Sequence, residues 1–175
     1  PEWLSVFLKG LYNHAENILA NPVNVENSNI RLAQYKALVM AGILMPEFKH
    51  SVKWLDYGVQ GVGSSLVAQF NEDGVHNELD PSYHLGVVAD FINLYQLALA
   101  NNKTDKFPAD YYAYLKKASK FIMDIVYPNY SIDNYNDTRC GSSFTKNVIL
   151  RNLKIYSDIF PDDEELKYAS SQGKN

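Results

Sequence analysis

With 175 residues and 46% hydrophobic content, the chain is long enough for one domain with a substantial core. Its formal net charge of −4 argues against a nucleic-acid partner, and any polyanionic ligand has to be met by a local basic patch. The single cysteine, Cys140, excludes an intrachain disulfide and a Cys-based zinc site, and no run of ~20 apolar residues marks a membrane span. No basic start followed by an apolar stretch marks a signal peptide either.

Helical periodicity is already under way at the first residues. Leu4, Phe7, Leu8, Leu11, Ala15, Ile18 and Leu19 fall on one helical face, and Asn21-Pro22 ends that helix. Asn27 or Ser28 is placed to cap a second helix, whose apolar set is Ile30, Ala33, Ala37, Leu38, Ala41 and Leu44, with Pro46 as the stop. A third helix is predicted from about Glu47 to Phe70 through Val52, Leu55, Val59, Val62, Leu66 and Phe70. Its glycines Gly58, Gly61 and Gly63 weaken it as an isolated helix and are read as sites of close helix packing.

The stretch from Gln69 to His84 then packs a turn signal, several acidic groups, two histidines and a tyrosine between two helices. Asp73-Gly74 is a turn dipeptide, and Val75 to Leu79 is short enough for a β turn or ribbon. His76 reads as an exposed turn residue. Asp80-Pro81-Ser82 reads as a helix start, with Asp80 as N-cap and Pro81 at the first helical position. That puts Tyr83 and His84 on a first helical turn, whose unpaired N–H groups and dipole favour an anion such as an acidic substrate.

Downstream, a fourth helix runs to Asn101 through Val87, Val88, Phe91, Tyr95 and Ala98, followed by the Asn101–Thr104 loop. A fifth begins at Pro108, buries Tyr111, Leu115, Ala118, Ile122 and Ile125, and stops before Pro128. Tyr127 to Ser143 is a long polar loop of the kind that often carries function. A sixth helix from about Phe144 to Phe160 and a short one after Pro161-Asp162-Asp163 complete the all-α reading, as antiparallel helical hairpins. The 13 tyrosines suit a carbohydrate ligand, since a phenol ring stacks on a sugar face while its hydroxyl hydrogen-bonds, although most of them are expected at the core edge.

The ordered landmarks Gln69, Asp73-Gly74, Glu78 and Pro81-Ser82-Tyr83-His84, preceded by the Asn-rich helix opening Asn27-Ser28-Asn29-Ile30-Arg31, resemble the heparinase II/III-like polysaccharide lyases, specifically their N-terminal helical toroid. The resemblance implies an incomplete (α/α) toroid, with residues 1–175 a fragment of it and the family's C-terminal β-sheet domain absent. It implies β-elimination on a uronate-containing glycosaminoglycan, with heparan sulfate or heparin ahead of other uronate polymers. It also implies an acidic polysaccharide partner and a periplasmic or secreted bacterial parent. No cofactor is evident, and a structural metal would belong to the missing domain. A fragment of this kind is expected to be inactive alone and to self-associate through the apolar surface its truncation exposes.

Elimination requires the uronate carboxylate to be neutralised so that the neighbouring C5 proton becomes acidic, and an amide does this without titrating. The resemblance gives that role to Asn29, with Asn27 as the competing position and helix capping as the ordinary use of either. It places Tyr83 at the family's catalytic tyrosine, taking the C5 proton or giving one to the leaving oxygen. Arg31, Glu78 and His84 are the substrate-binding candidates: Arg31 for a sulfate or carboxylate, His84 for the sugar acid, and Glu78 for orienting Tyr83, His84 or the turn. Ile30 stands where many relatives carry a histidine. The competing readings are a helical glycan-binding or interaction module, an alginate-type lyase, and an (α/α) glycoside hydrolase. The last would need two of Asp73, Glu78 and Asp80 roughly 5 to 9.5 Å apart across a bond.

Overall fold

The computed structural model describes residues 1–25, 28–133, 135–138 and 144–174. Among the described residues there are seven α-helices: α1 (Glu2–Ala20), α2 (Asn29–Leu44), α3 (Ser51–Gln69), α4 (Pro81–Ala100), α5 (Tyr111–Ile125), α6 (Lys146–Ile159) and α7 (Glu164–Ser170). A 3-10 turn covers Thr104–Lys106, and the only β pairing among the described residues is one antiparallel bridge between Phe70 and His76. The predicted starts of two helices move inward. Pro46 has no N–H to give, and residues 46–50 form tight turns, Phe48 N–H to Met45 O and Ser51 N–H to Phe48 O, before α3 begins. At α5 the Tyr111 N–H still reaches back only three residues, to Pro108 O, so Pro108 belongs to a turn.

The chain divides into two compact units: Pro1–Gln69 with Asp90–Tyr111, and Phe70–Ala89 with Tyr112–Asn175. In the first, α2 and α3 form the main hairpin. Glycines make the close approach possible: a Cβ at position 61 would fall 2.2 Å from the Tyr35 ring, and one at position 58 would fall 2.8 Å from Val39 Cγ2. This contact sets which face of α2 is inside. Leu32, Leu38, Val39 and Ile43 are buried, whereas Ile30 and Leu44, predicted for the core, are more than half exposed. Apolar side chains occur all round α2, so spacing alone could not select the face.

Helix α1 docks by its second half. Ala15 packs with Leu38 and Trp54, flanked by Tyr12, Ile18 and Leu19. The Trp54 indole N–H donates to Glu16 at 2.6 Å, and the Tyr12 hydroxyl pairs with His50 Nδ1 at 2.7 Å. The first half does not follow the prediction: Leu4, Phe7 and Leu8 are exposed, as are Trp3 and Val6.

The second unit buries Leu115, Ala118 and Ile122 of α5, Ile149, Leu153 and Tyr156 of α6, and Leu166 of α7. Tyr112 lies edge-on to Phe160, with ring centroids 5.0 Å apart. Thr145 caps α6 and Asp163 caps α7, the latter by accepting the Leu166 N–H at 3.0 Å.

The glycine argument yields a paired expectation. Tyr35 is held at both ends, its hydroxyl accepting the Arg31 Nε–H at 2.9 Å and its ring lying under the guanidinium. Gly61→Ala therefore has to displace a pinned ring and should cost about 1–3 kcal/mol. Gly86→Ala, in α4 with nothing within 4 Å of the new methyl, should instead stabilise by up to about 1 kcal/mol. Thermal melts of the two variants in opposite directions would confirm the packing role; a neutral Gly61→Ala would refute it.

Candidate functional site

The Asp73-Gly74 turn forms as its sequence predicts. Asp73 Oδ1 accepts the Val75 N–H at 3.0 Å, and Gly74 adopts φ +89 with no room for a Cβ, which would sit 2.7 Å from Lys117 O. The bridge between Phe70 and His76 closes the turn, and the chain then reaches α4 through Leu79 at φ +54.

Asp80 organises the helix start. Its Oδ1 accepts the Ser82 N–H at 2.7 Å, the Ser82 hydroxyl at 2.6 Å and the Tyr83 N–H at 3.0 Å, while its carbonyl accepts the His84 N–H. Burial by itself raises the carboxyl pKa, but these hydrogen bonds outweigh it and hold the group below the usual carboxylate value. Since Pro81 has no N–H, every orphan donor of the first turn is satisfied from within. The seat predicted there for a substrate anion is thus occupied by a carboxylate of the chain itself. Tyr83, at the third helical position, is fixed through its backbone and leaves its side chain 40% exposed.

His84 faces the opposite way and is 2% exposed. Its Nδ1 accepts the His76 N–H at 3.2 Å, its Nε2–H donates to Ala118 O at 3.0 Å, and its ring lies among Phe70 and Phe121. Burial is the main cause that pushes its pKa down to about 4, against the opposing Ala118 carbonyl, so the ring is neutral. With both nitrogens engaged inside the fold, the expectation that His84 touches the sugar acid gives way to a structural role. The reading of His76 as an exposed turn residue is also overturned: it is 1% exposed, because the bridge to Phe70 turns its ring inward. Glu78 acts through its backbone, its N–H meeting His76 Nδ1 at 3.4 Å and its carbonyl accepting from Asn136, while its carboxylate is exposed.

In the first unit, Ser28 is the cap of α2. Its Oγ accepts the Arg31 N–H at 3.1 Å and donates to Val25 O. Asn29 is thereby relieved of capping and stands exposed as the first helical residue; Asn27 lies outside the described residues. Arg31 donates to Tyr35 OH and Val23 O, both at 2.9 Å, and to Tyr57 OH at 3.4 Å, so its guanidinium ties the 21–25 connection to α2 and α3. The structure thus groups Asn29 with Arg31 at the start of α2, and Glu78, Tyr83 and His84 at the start of α4. Among the described residues no group of three or more His, Cys, Asp or Glu side chains is arranged for a metal, and no helix is long and apolar enough to cross a membrane. Sequence reasoning missed Asn136, whose amide donates to Glu78 O at 3.3 Å and Leu79 O at 2.8 Å; an Asn-rich loop was its only signal.

The model of the heparinase II/III N-terminus matches residues 1–168. The chain belongs to the heparinase II/III family. A heparin-sulfate lyase of Bacteroides thetaiotaomicron is 41% identical over 181 residues, covering 99% of this chain and 25% of the relative. A heparin-sulfate lyase of Pedobacter heparinus is 27% identical over 176 residues, covering 99% and 26%. Among solved structures, a heparinase III crystal structure superposes with a TM-score of 0.85 at 38% identity over 100% of this chain and 28% of its own length. A second heparinase III gives 0.86 at 30% identity, covering 100% and 27%. These similarities bear out the all-α class and assign the helices to the family's N-terminal helical toroid region. The chain spans about a quarter of the length of the curated relatives it matches.

The state of His84 makes the stability of this heparinase II/III segment pH-dependent. The folded pKa of about 4 lies below the ordinary 6.5, so as pH falls the unfolded chain takes up the proton first. Stability is complete above pH 6.5 and is lost between 6.5 and 4, by about 3 kcal/mol from this group. His76, also lowered by burial, adds to the same trend. Urea midpoints measured across this window should fall steeply for the parent chain and less for His84→Gln; identical slopes would refute the buried neutral imidazole.

Proposed function

We propose that the chain is the N-terminal part of a polysaccharide lyase that cleaves a uronate-containing glycosaminoglycan, heparan sulfate or heparin, by β-elimination. The observation that carries the reading is Tyr83, a half-exposed phenol fixed on the first turn of α4 by a buried carboxylate in a chain of this family. Relatives bearing the name heparin-sulfate lyase supply the substrate class.

In the reaction, the C5 proton of the uronate leaves, its electron pair forms the C4–C5 double bond, the C4–O glycosidic bond breaks, and the departing oxygen takes a proton. Tyr83 serves one of these two proton transfers. Asn29, exposed and free of capping duty, donates its amide to the uronate carboxylate and so favours the enolate-like intermediate. Asp80 and His84 are positioning residues: the first fixes the backbone of Tyr83, and the second anchors the turn and α4 to the Ala118 carbonyl of α5. The rest of the site lies in the additional length the relatives possess, and the setting is periplasmic or extracellular. A hydrolase reading is disfavoured by the carboxylates themselves, because Asp73 is committed to its turn and Asp80 to its cap.

In a longer parent containing that additional length, Tyr83→Phe should reduce formation of unsaturated uronate, followed by its ultraviolet absorbance, by about 100- to 10,000-fold with binding nearly intact. Asn29→Ala should lower turnover far more than Asn27→Ala. Normal turnover in Tyr83→Phe would reduce that residue to packing, and equal small effects at the two asparagines would return both to the helix terminus. The 175-residue chain alone should give no product.

A further inference from the structure

The loop after α5 has no part in the reading above, yet it is fastened more firmly than a connection requires. Tyr127 N–H donates to Ser131 O and Tyr130 N–H to Tyr127 O, both at 2.8 Å. Asn129 Oδ1 accepts both the Ser131 N–H and its hydroxyl, and the Tyr127 hydroxyl donates to Asp133 at 2.7 Å. Asn136 then clamps the loop to the carbonyls of Glu78 and Leu79. On this ordered frame the Tyr127 and Tyr135 rings remain 46% and 49% exposed. Tyr135 lines a pocket of about 230 Å³ whose other walls include Leu79, Pro81, Phe121 and Ile125, all within the second unit, with Asp80 as its one charged lining residue. Tyr127 and Asp133 lie outside this lining on the same loop, where the hydrogen bond to Asp133, then that charge and Tyr135, push the Tyr127 phenol up.

We propose that Tyr135, with Tyr127 and Asp133 at its edge, forms a stacking subsite for an uncharged pyranose ring of the polysaccharide. Three properties converge on a sugar. An exposed, preorganised phenol presents a flat apolar face at little entropic cost, the apolar pocket receives a ring face or a methyl substituent, and a solvent-facing carboxylate accepts from hydroxyls. Charge selects the kind of ring. The pocket lining holds no Lys or Arg and its one charged residue is Asp80, with Asp133 on the adjoining loop and Lys146 over the Tyr130 ring outside the lining, so a uronate or sulfate group placed in the pocket meets a carboxylate and no cation. The identity of the polymer rests on the lyase reading; the stacking site itself does not.

The test is a titration of the 175-residue chain with the uncharged trisaccharide of N-acetylglucosamine, and separately with trigalacturonate, following the assigned tyrosine ring signals by NMR. The Tyr127 and Tyr135 signals should move with the uncharged probe and less with the anionic one. Tyr135→Ala should weaken binding roughly 3- to 10-fold, whereas Tyr135→Phe, which keeps the ring, should retain it. Unmoved ring signals in the wild-type chain, or a Tyr135→Ala chain that melts normally and binds equally well, overturns the subsite. If Tyr135→Ala fails to fold, the wild-type ring signals and the Phe variant still decide. A longer parent that forms unsaturated uronate while these signals stay still sinks the subsite alone; Tyr135-dependent binding in a parent that forms none sinks the lyase reading alone.

Discussion

One buried carboxylate oxygen supports the whole entry to α4. Asp80 Oδ1 holds two backbone donors and a hydroxyl, and this concentration of hydrogen bonds keeps a 3% exposed carboxyl ionised where burial would otherwise neutralise it. From that anchor the helix fixes Tyr83 on the solvent side and His84 on the core side, one residue and about 100° of helix apart. An exposed phenol and a buried imidazole are thus delivered by adjacent residues of a single turn.

The histidine pair provides the rigidity. His84 accepts from the backbone of His76 and donates to Ala118 O, so one neutral ring joins the turn, α4 and α5. Asn136 repeats the device from the loop side with two carbonyls. Arg31 does the same at the start of α2, spending its guanidinium on two phenols and a carbonyl. In each case a polar side chain is employed in fixing backbone, while Asn29 and Tyr83 beside them are left exposed.

Local chemistry was legible in the sequence where one residue type has few alternatives. Asp80-Pro81 could hardly be other than a helix start, Asp73-Gly74 formed its turn, and Gly58 and Gly61 marked the close face of α3. The family resemblance was carried by the same short landmarks and is shown by the match over residues 1–168. What the sequence hid was tertiary. His76 looks polar in a polar turn, and only its pairing with Phe70 buries it. The core face of α2 could not be chosen from spacing because apolar residues surround the helix, and the decision came from glycines on another element. The α1 periodicity continues into exposed residues, since amphipathicity reports that a face is apolar and not what covers it.

The last helix shows a different dependence. At seven residues α7 is too short to persist by its own propensity, and beyond Leu166 and its Asp163 cap it is held by Lys116 and Lys120 of α5, which bridge Asp162, Asp163 and Glu165 at 2.5 to 3.3 Å. Those ties are mostly at the surface, where salt screens them, so the order of this end of the chain varies with ionic strength while the Asp80 and His84 contacts, sealed from solvent, do not. The expected consequence is a graded response, the backbone amides of α7 exchanging early and more so as salt is raised, and those of the turn at the head of α4 exchanging late.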